Sequence, residues 1–392
     1  MLETQLGGFN MRVLMTATVP SMIGQFNMDN IKLLQELGYE VDVACNCHDY
    51  SVWSKKRIDT FKRDLLTMNI NIYQIDFERN MFKLIKHFKS YFQMKHLLNK
   101  RHYDIIHTHT PISSFITRFA FKNSKYFDNS KLIYTAHGFH FFKGNSLVNN
   151  IIFSSLERIA GKYTDILITI NNEDYLAAKK FKLRKNGIVK YVPGVGININ
   201  KINSIVGNHD EFCKELKIST NSTLLLSVGE LNFNKNHKII IDCLPKLPQE
   251  IHYIICGVGP LMQQYNDLAE ELGVSDRLHL LGYRDDVFKI MKSCDIFIFP
   301  SFREGLGLAA IEAMACGMPL ITSNRHGILD YAQNGINAFT CNPFKSDEFL
   351  TAIKKMNKNL INQFGDYNKN CAVKYDLHVI HKKMCSIYKE DL

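Results

Sequence analysis

No apolar run in this chain approaches the ~18–20 residues that span a bilayer, although 46% of its 392 residues are apolar. No charged-then-apolar leader opens it, so no secretory signal is expected. Ten cysteines are scattered along it, and several (Cys256, Cys294, Cys316) fall in apolar strand- or helix-like context. Cys45-x-Cys47 lacks the second pair that a zinc site needs, so reduced cytosolic thiols and no metal are expected. The first strand-to-helix turn, Val19-Pro20-Ser21-Met22-Ile23-Gly24, has one glycine where a dinucleotide-binding turn needs three. That argues against dehydrogenase chemistry. No short repeat appears. The ten residues before Met11 carry no periodic pattern; Met11-Arg12-Val13-Leu14-Met15 is the more natural start, and residues 1–10 are set aside as a tag or an extended start.

What is present is a strand–helix alternation long enough for two domains. Strands are expected at 13–16, 40–45, 70–73, 105–107, 132–135 and 166–170, with a helix at 28–37. After Val192-Pro193-Gly194-Val195-Gly196 the rhythm restarts with strands at 223–228, 252–255, 278–280, 296–299 and 320–322. The pattern predicts an α/β protein with parallel sheets covered by helices on both faces. The domains are drawn at 11–194 and 195–374, with a last helix at about 375–392 returning to the first. Charge divides unevenly: residues 1–200 hold 27 Lys and Arg against 16 Asp and Glu, and the rest 21 against 22. An anionic partner on the N-terminal half is implied.

The segment Ser301-Phe302-Arg303-Glu304-Gly305-Leu306-Gly307-Leu308-Ala309-Ala310-Ile311-Glu312 is the most informative in the chain. It follows a strand closed by Pro300 and enters a helix, 308–316, halted by Gly317 and Pro319. Glu304 therefore belongs in a loop at a strand's carboxyl end, where open α/β sheets place ligands. Gly305 and Gly307 let backbone N–H groups approach a phosphate at the helix N-terminus. Glu312 lies one to two turns further on. Upstream, Gly229 ends a strand and Lys235 follows six residues later, suited to facing a phosphate. Leu281-Gly282-Tyr283-Arg284 is a loop that can offer backbone groups to a nucleobase edge. A surface lysine and a plain loop are the ordinary alternatives. In the first half, His137 ends a strand in Thr135-Ala136-His137-Gly138-Phe139-His140, and His107-Thr108-His109 ends another. Two histidines alone do not make a metal site. Met81-Phe82-Lys83-Leu84-Ile85-Lys86-His87-Phe88-Lys89 continues to Lys95, Lys100 and Arg101 as a basic, aromatic-containing helix pattern. It reads either as a solvated helix packing its Phe and Leu inward or as an interfacial helix on anionic lipid.

The segment from Glu304 through Glu312 to Pro319 resembles the Glu-x7-Glu signature of glycosyltransferase family 4, retaining enzymes of the GT-B fold with two Rossmann-like domains across a cleft. Tyr134–Gly144, Ile168–Tyr175 and Val192–Val195 resemble its bacterial capsule and exopolysaccharide branch. The resemblance implies a UDP-sugar donor, held by Gly229, Glu230, Lys235, Tyr283, Arg284, Arg303, Glu304, Gly305, Leu306, Gly307, Leu308 and Glu312, with no cofactor or metal. Glu230 stands where the family has arginine, and a carboxylate cannot hold phosphate. Lys235 then grips the diphosphate alone, or Arg303 supplies the second charge. On the acceptor side the resemblance implies His107, His109, His137 and Phe139. His137, Glu304 and Lys235 are the catalytic candidates, with His137 in electrostatic stabilisation rather than nucleophilic attack. No carboxylate is placed to act as nucleophile, so front-face displacement is implied. The expected acceptor is a polyprenyl-diphosphate-linked saccharide at the cytoplasmic face of the cell membrane, met through the basic N-terminal half, with no nucleic acid bound. A UDP-sugar 2-epimerase of the same architecture, an inverting transferase and a catalytically silent sugar-nucleotide-binding protein are the rival readings.

Overall fold

The computed structural model describes residues 11–391. Residues 1–10, set aside above, and Leu392 of the expected last helix lie outside the described residues. The chain forms two compact units: one runs to Val195 and takes up the chain again from Ile380, and the other comprises Gly196–Val379.

The first unit is built on a seven-stranded parallel sheet: β1 (Arg12–Thr16), β2 (Glu40–Cys45), β3 (Asn71–Gln74), β4 (Ile105–His109), β5 (Lys131–Ala136), β6 (Ile166–Thr169) and β7 (Ile188–Tyr191), in the order β3-β2-β1-β4-β5-β6-β7. Its central strands are buried on both faces, which is why they read as continuous apolar runs rather than alternating ones. The helix Leu377–Lys389 lays Ile380, Met384, Ile387 and Tyr388 into this unit's core.

The second unit repeats the plan with β8 (Thr223–Val228), β9 (Ile251–Cys256), β10 (Leu278–Gly282), β11 (Ile296–Phe299), β12 (Leu320–Ser323) and β13 (Ala338–Cys341), in the order β10-β9-β8-β11-β12-β13. Both sheets have the Rossmann order, in which the winding reverses once. The reversals fall between β1 and β4 and between β8 and β11, and ligands of such sheets gather at the carboxyl ends of the reversing strands. Strands β7 and β13 were not anticipated. Ile188-Val189-Lys190-Tyr191 and Ala338-Phe339-Thr340-Cys341 are four-residue edge strands, too short and too mixed to stand out.

Of the two readings of the basic helix pattern, inward packing holds for Leu97 and Leu98 but not for the phenylalanines. The helix Leu84–Lys100 turns Ser90, Met94, Leu97 and Leu98 inward, whereas Phe88 and Phe92 face outward and are exposed.

Candidate active site

In the second unit the loops leaving β8 and β11 are sewn together at the point where the sheet reverses. Asn234 donates through Nδ2 to the Arg303 carbonyl (2.9 Å), and the Phe302 N–H donates to the Asn234 carbonyl (2.8 Å). Asn236 adds bonds to the carbonyls of Pro300 (3.1 Å) and Pro343 (2.9 Å). Between these stitches Lys235 Nζ lies 2.8 Å from Glu304 Oε1, both side chains largely enclosed. The ammonium also stands 4.9 Å from the Phe299 ring centroid. The Glu304 carbonyl accepts from His326 Nδ1 (2.7 Å) and from the Gly327 N–H (3.2 Å), which holds its loop from the other side.

Gly307 caps the next helix, Leu308–Ala315, in the left-handed region at φ 86°. A side chain there would meet the Phe299 ring and the Tyr331 hydroxyl. That hydroxyl is buried without a hydrogen-bond partner among the described residues. Small residues on the helix, Ala310 and Ala313 among them, let it lie close on the sheet. Glu312 rises from its second turn. Its carboxyl is only partly exposed, and desolvation pushes its pKa up to about 7. No hydrogen-bond donor or cation among the described residues meets it. A half-buried carboxylate without a protein partner suits hydroxyl donors brought by a ligand.

Glu230, in the family's arginine position, is exposed and accepts from Asn232 Nδ2 at 2.9 Å. Gly259, in the Gly-x-Gly turn after β9, has a backbone role: a side chain there would collide with the Leu231 main chain. Tyr283 is exposed beyond β10. The Arg284 guanidinium is taken by Asp286 (two bonds of 2.7 Å) and Glu215 (2.7 Å), and it holds the Asp286 carboxyl below its ordinary range. Its side chain is therefore committed within the protein, leaving only its main chain for a base. Asn234, Asn236, His326 and Tyr331 were not singled out in the sequence. The asparagines act through carbonyls more than sixty residues away, and nothing local marks that.

In the first unit three imidazoles form a row. His109 Nδ1 and His137 Nε2 are 3.1 Å apart, and the rings of His107 and His109 have centroids 4.2 Å apart. His107 closes the row inward, with Nδ1 2.8 Å from the Tyr388 hydroxyl and Nε2 2.8 Å from Thr135 Oγ1. Burial holds the pKa of His137 at about 4 and of His107 at about 3, with His109 also well below its ordinary value. All three are neutral at pH 7. Two acceptor-side expectations are corrected here. His107 is wholly enclosed and spent on Tyr388 and Thr135, and Phe139 is enclosed and stacked on Phe141 (4.7 Å). Neither side chain is exposed, and His109 is itself only 1% exposed. His137 is the partly exposed member, and with His109 it borders a cavity of about 20 Å³.

Residues 208–370 match the family described as glycosyl transferases group 1, and residues 24–186 match Glycosyltransferase Family 4. With the Glu304–Glu312 segment at the sheet reversal, the chain belongs to the family 4 glycosyltransferases, and its two Rossmann-like units are those of the GT-B fold. Among its relatives is the UDP-Gal:alpha-D-GlcNAc-diphosphoundecaprenol alpha-1,3-galactosyltransferase of Escherichia coli, 30% identical over 74% of this chain and 75% of that one. Another is the N,N'-diacetylbacillosaminyl-diphospho-undecaprenol alpha-1,3-N-acetylgalactosaminyltransferase of Campylobacter jejuni, 23% identical over 96% of this chain and 98% of that one. HepE of Anabaena, solved with UDP and glucose, shares the fold at a TM-score of 0.75 and 18% identity, over 97% of this chain and 99% of its own.

Proposed function

We propose that this transferase moves a hexose or N-acetylhexosamine, with retention, from a UDP-sugar to a polyprenyl-diphosphate-linked saccharide during assembly of a capsule, exopolysaccharide or O-antigen. The observation that carries the reading is the Lys235–Glu304 pair at the reversal of the second sheet, eight residues before Glu312, whose carboxyl meets no partner among the described residues. Lys235 is assigned to the diphosphate, Glu304 to sugar hydroxyls and Glu312 to the hydroxyls of the ribose. The Gly305–Leu308 main chain offers N–H groups to phosphate at the start of the helix. UDP as the nucleotide and the lipid diphosphate as acceptor anchor are supported by the Escherichia coli relative, whose name specifies both.

The chemistry follows from what these groups can do. A lysine on the diphosphate stabilises the charge that develops as the nucleotide leaves, which removes the need for a bound metal. The departing phosphate oxygen takes the proton of the attacking acceptor hydroxyl on the same face, so the anomeric configuration is kept. His137, neutral at pH 7, orients and stabilises the positive sugar rather than attacking it. The first unit is assigned the acceptor. No helix among the described residues is long and apolar enough to cross a membrane, and peripheral attachment at the inner face of the cell membrane is part of the proposal.

The test is incubation with UDP-sugars, with and without a lipid-linked acceptor, measuring UDP release and the anomeric configuration of the product by NMR. Acceptor-dependent release with an α-linked product is expected, undiminished by EDTA. Isomerised free UDP-sugar, or binding without turnover, would overturn the proposal.

A further inference from the structure

The first unit also holds a cavity of about 1060 Å³ that His107, His109 and His137 do not line. It is a groove with a mouth at the reversal between β1 and β4 and walls from the helices Leu84–Lys100, Pro111–Lys122 and Leu147–Gly161. At the mouth, the Thr18 and Thr110 hydroxyls are 2.8 Å apart, and Ser113 Oγ lies 2.6 Å from Thr110. Thr110, a β-branched residue, is held there at φ 63°, an outlier of the kind that marks functional sites. Beyond the hydroxyls the walls are mainly apolar, with Phe88, Phe92, Phe115, Phe119 and Phe153 prominent. Gln25, Arg79, His87, Asn123 and His140 are set among them. Glu157, the acidic group in the lining, is neutralised by Arg118 at 2.8 Å.

This apolar face runs on to the surface. Leu84, Phe88 and Phe92, four residues apart, form one outward stripe, with Phe82 83% and Ile85 87% exposed beside it. Leu147, Val148 and Ile151, on the first turns of the helix Leu147–Gly161, are also exposed, Leu147 and Ile151 beside a separate hollow of about 340 Å³. A patch of this kind on a charged domain marks an interaction surface. Lys83, Lys86 and Lys89 interleave the stripe, the first two paired with Glu78 and the third with Asp76, and the first 200 residues carry the whole positive excess of the chain.

We propose that this groove takes the hydrocarbon chain of the polyprenyl-linked acceptor, with its phosphate end at the Thr18–Thr110 mouth and its tail leaving through the Phe88–Phe92 stripe. The inference rests on the acceptor half of the proposed function. A hydrocarbon chain needs no hydrogen bonds from these walls, whereas an extended peptide would leave its backbone groups unsatisfied there. The positive excess of the N-terminal half suits an anionic bilayer beside the stripe. The groove also opens where open α/β sheets bind ligands, so chain and reacting end are served by one continuous surface.

The experiment uses the full chain with Phe88→Trp as reporter, since Trp53 lies in the core and is its sole tryptophan. Phosphatidylcholine vesicles doped with long-chain polyprenyl phosphate are expected to give a saturable blue shift that undoped vesicles do not. Phe88→Asp with Phe92→Asp, both at exposed positions, is expected to weaken vesicle binding by about tenfold or more, with the thermal shift produced by UDP unchanged. An unmoved emission, or equal responses to doped and undoped vesicles, would overturn the assignment. So would a wild-type dimer that Phe88→Asp dissociates, because a second copy would then cover the groove. The two readings fail separately. Loss of the lipid response with transfer to a short-chain acceptor intact removes the groove alone. An intact lipid response with no UDP release from any UDP-sugar removes the transfer reaction.

Discussion

Glu312 sets the fold's interest against the ligand's. In the unfolded chain its carboxyl titrates at 4.5, and in the folded protein burial raises that to about 7. Between those pH values the native state keeps a proton that the unfolded chain has released. The stability of the second unit therefore falls as pH rises from 4.5 to 7, and the full deficit is present above 7. A shift from 4.5 to about 7 corresponds to a cost on the order of 3 kcal/mol for the ionised form. Glu312→Gln removes the titration but keeps the shape. Denaturant unfolding at pH 8 and pH 4 is expected to show the variant more stable than wild type at pH 8 by up to about 3 kcal/mol, and nearly equal at pH 4. UDP binding at pH 8 should move the opposite way, weakening roughly tenfold to a hundredfold as hydrogen bonds to a charged acceptor are lost. A variant whose stability gain is the same at both pH values would refute the desolvation argument. Unchanged UDP affinity would refute the ribose assignment.

Glu304→Ala is expected to abolish transfer nearly completely while circular dichroism and the unfolding midpoint stay close to wild type; full activity in that variant would contradict the site. Lys235→Ala should weaken donor binding by about 1.5–3 kcal/mol, the scale of a charged hydrogen bond, read as a higher KM for the UDP-sugar together with a lower kcat. Tyr388→Phe strips His107 Nδ1 of its buried partner and should cost the first unit about 1–3 kcal/mol in denaturant unfolding, with UDP affinity untouched. The histidine row predicts acid sensitivity. His107 and His137 resist protonation in the folded state, to about 3 and about 4 respectively. Stability of the first unit should be complete above pH 6.5 and fall as pH drops from 6.5 toward 4; a flat profile over that interval would contradict the burial argument.

The alternation of apolar runs was enough to foresee two parallel sheets. A strand buried on both faces needs unbroken apolar residues, and β1, β8 and β11 carry them in plain view. The Glu304–Gly307–Glu312 spacing was legible for a similar reason, because a strand, a proline and a glycine-started helix are all local events. Edge strands β7 and β13 escaped because short mixed segments carry little periodicity.

Tertiary structure decided which candidates face a ligand. His107 lies within β4 and His137 follows the adjacent β5, yet both look like strand-end histidines in one dimension. Tyr388, 281 residues from His107, takes the first into the core. Arg284 is drawn away by Glu215, 69 residues distant, and Lys235 meets Glu304 across another 69. The outward turn of Phe88 and Phe92 likewise depends on Met94, Leu97 and Leu98 having claimed the inner face. Local sequence sets backbone conformation through propensity and pattern, but which side chains lose their water depends on neighbours supplied by distant parts of the chain.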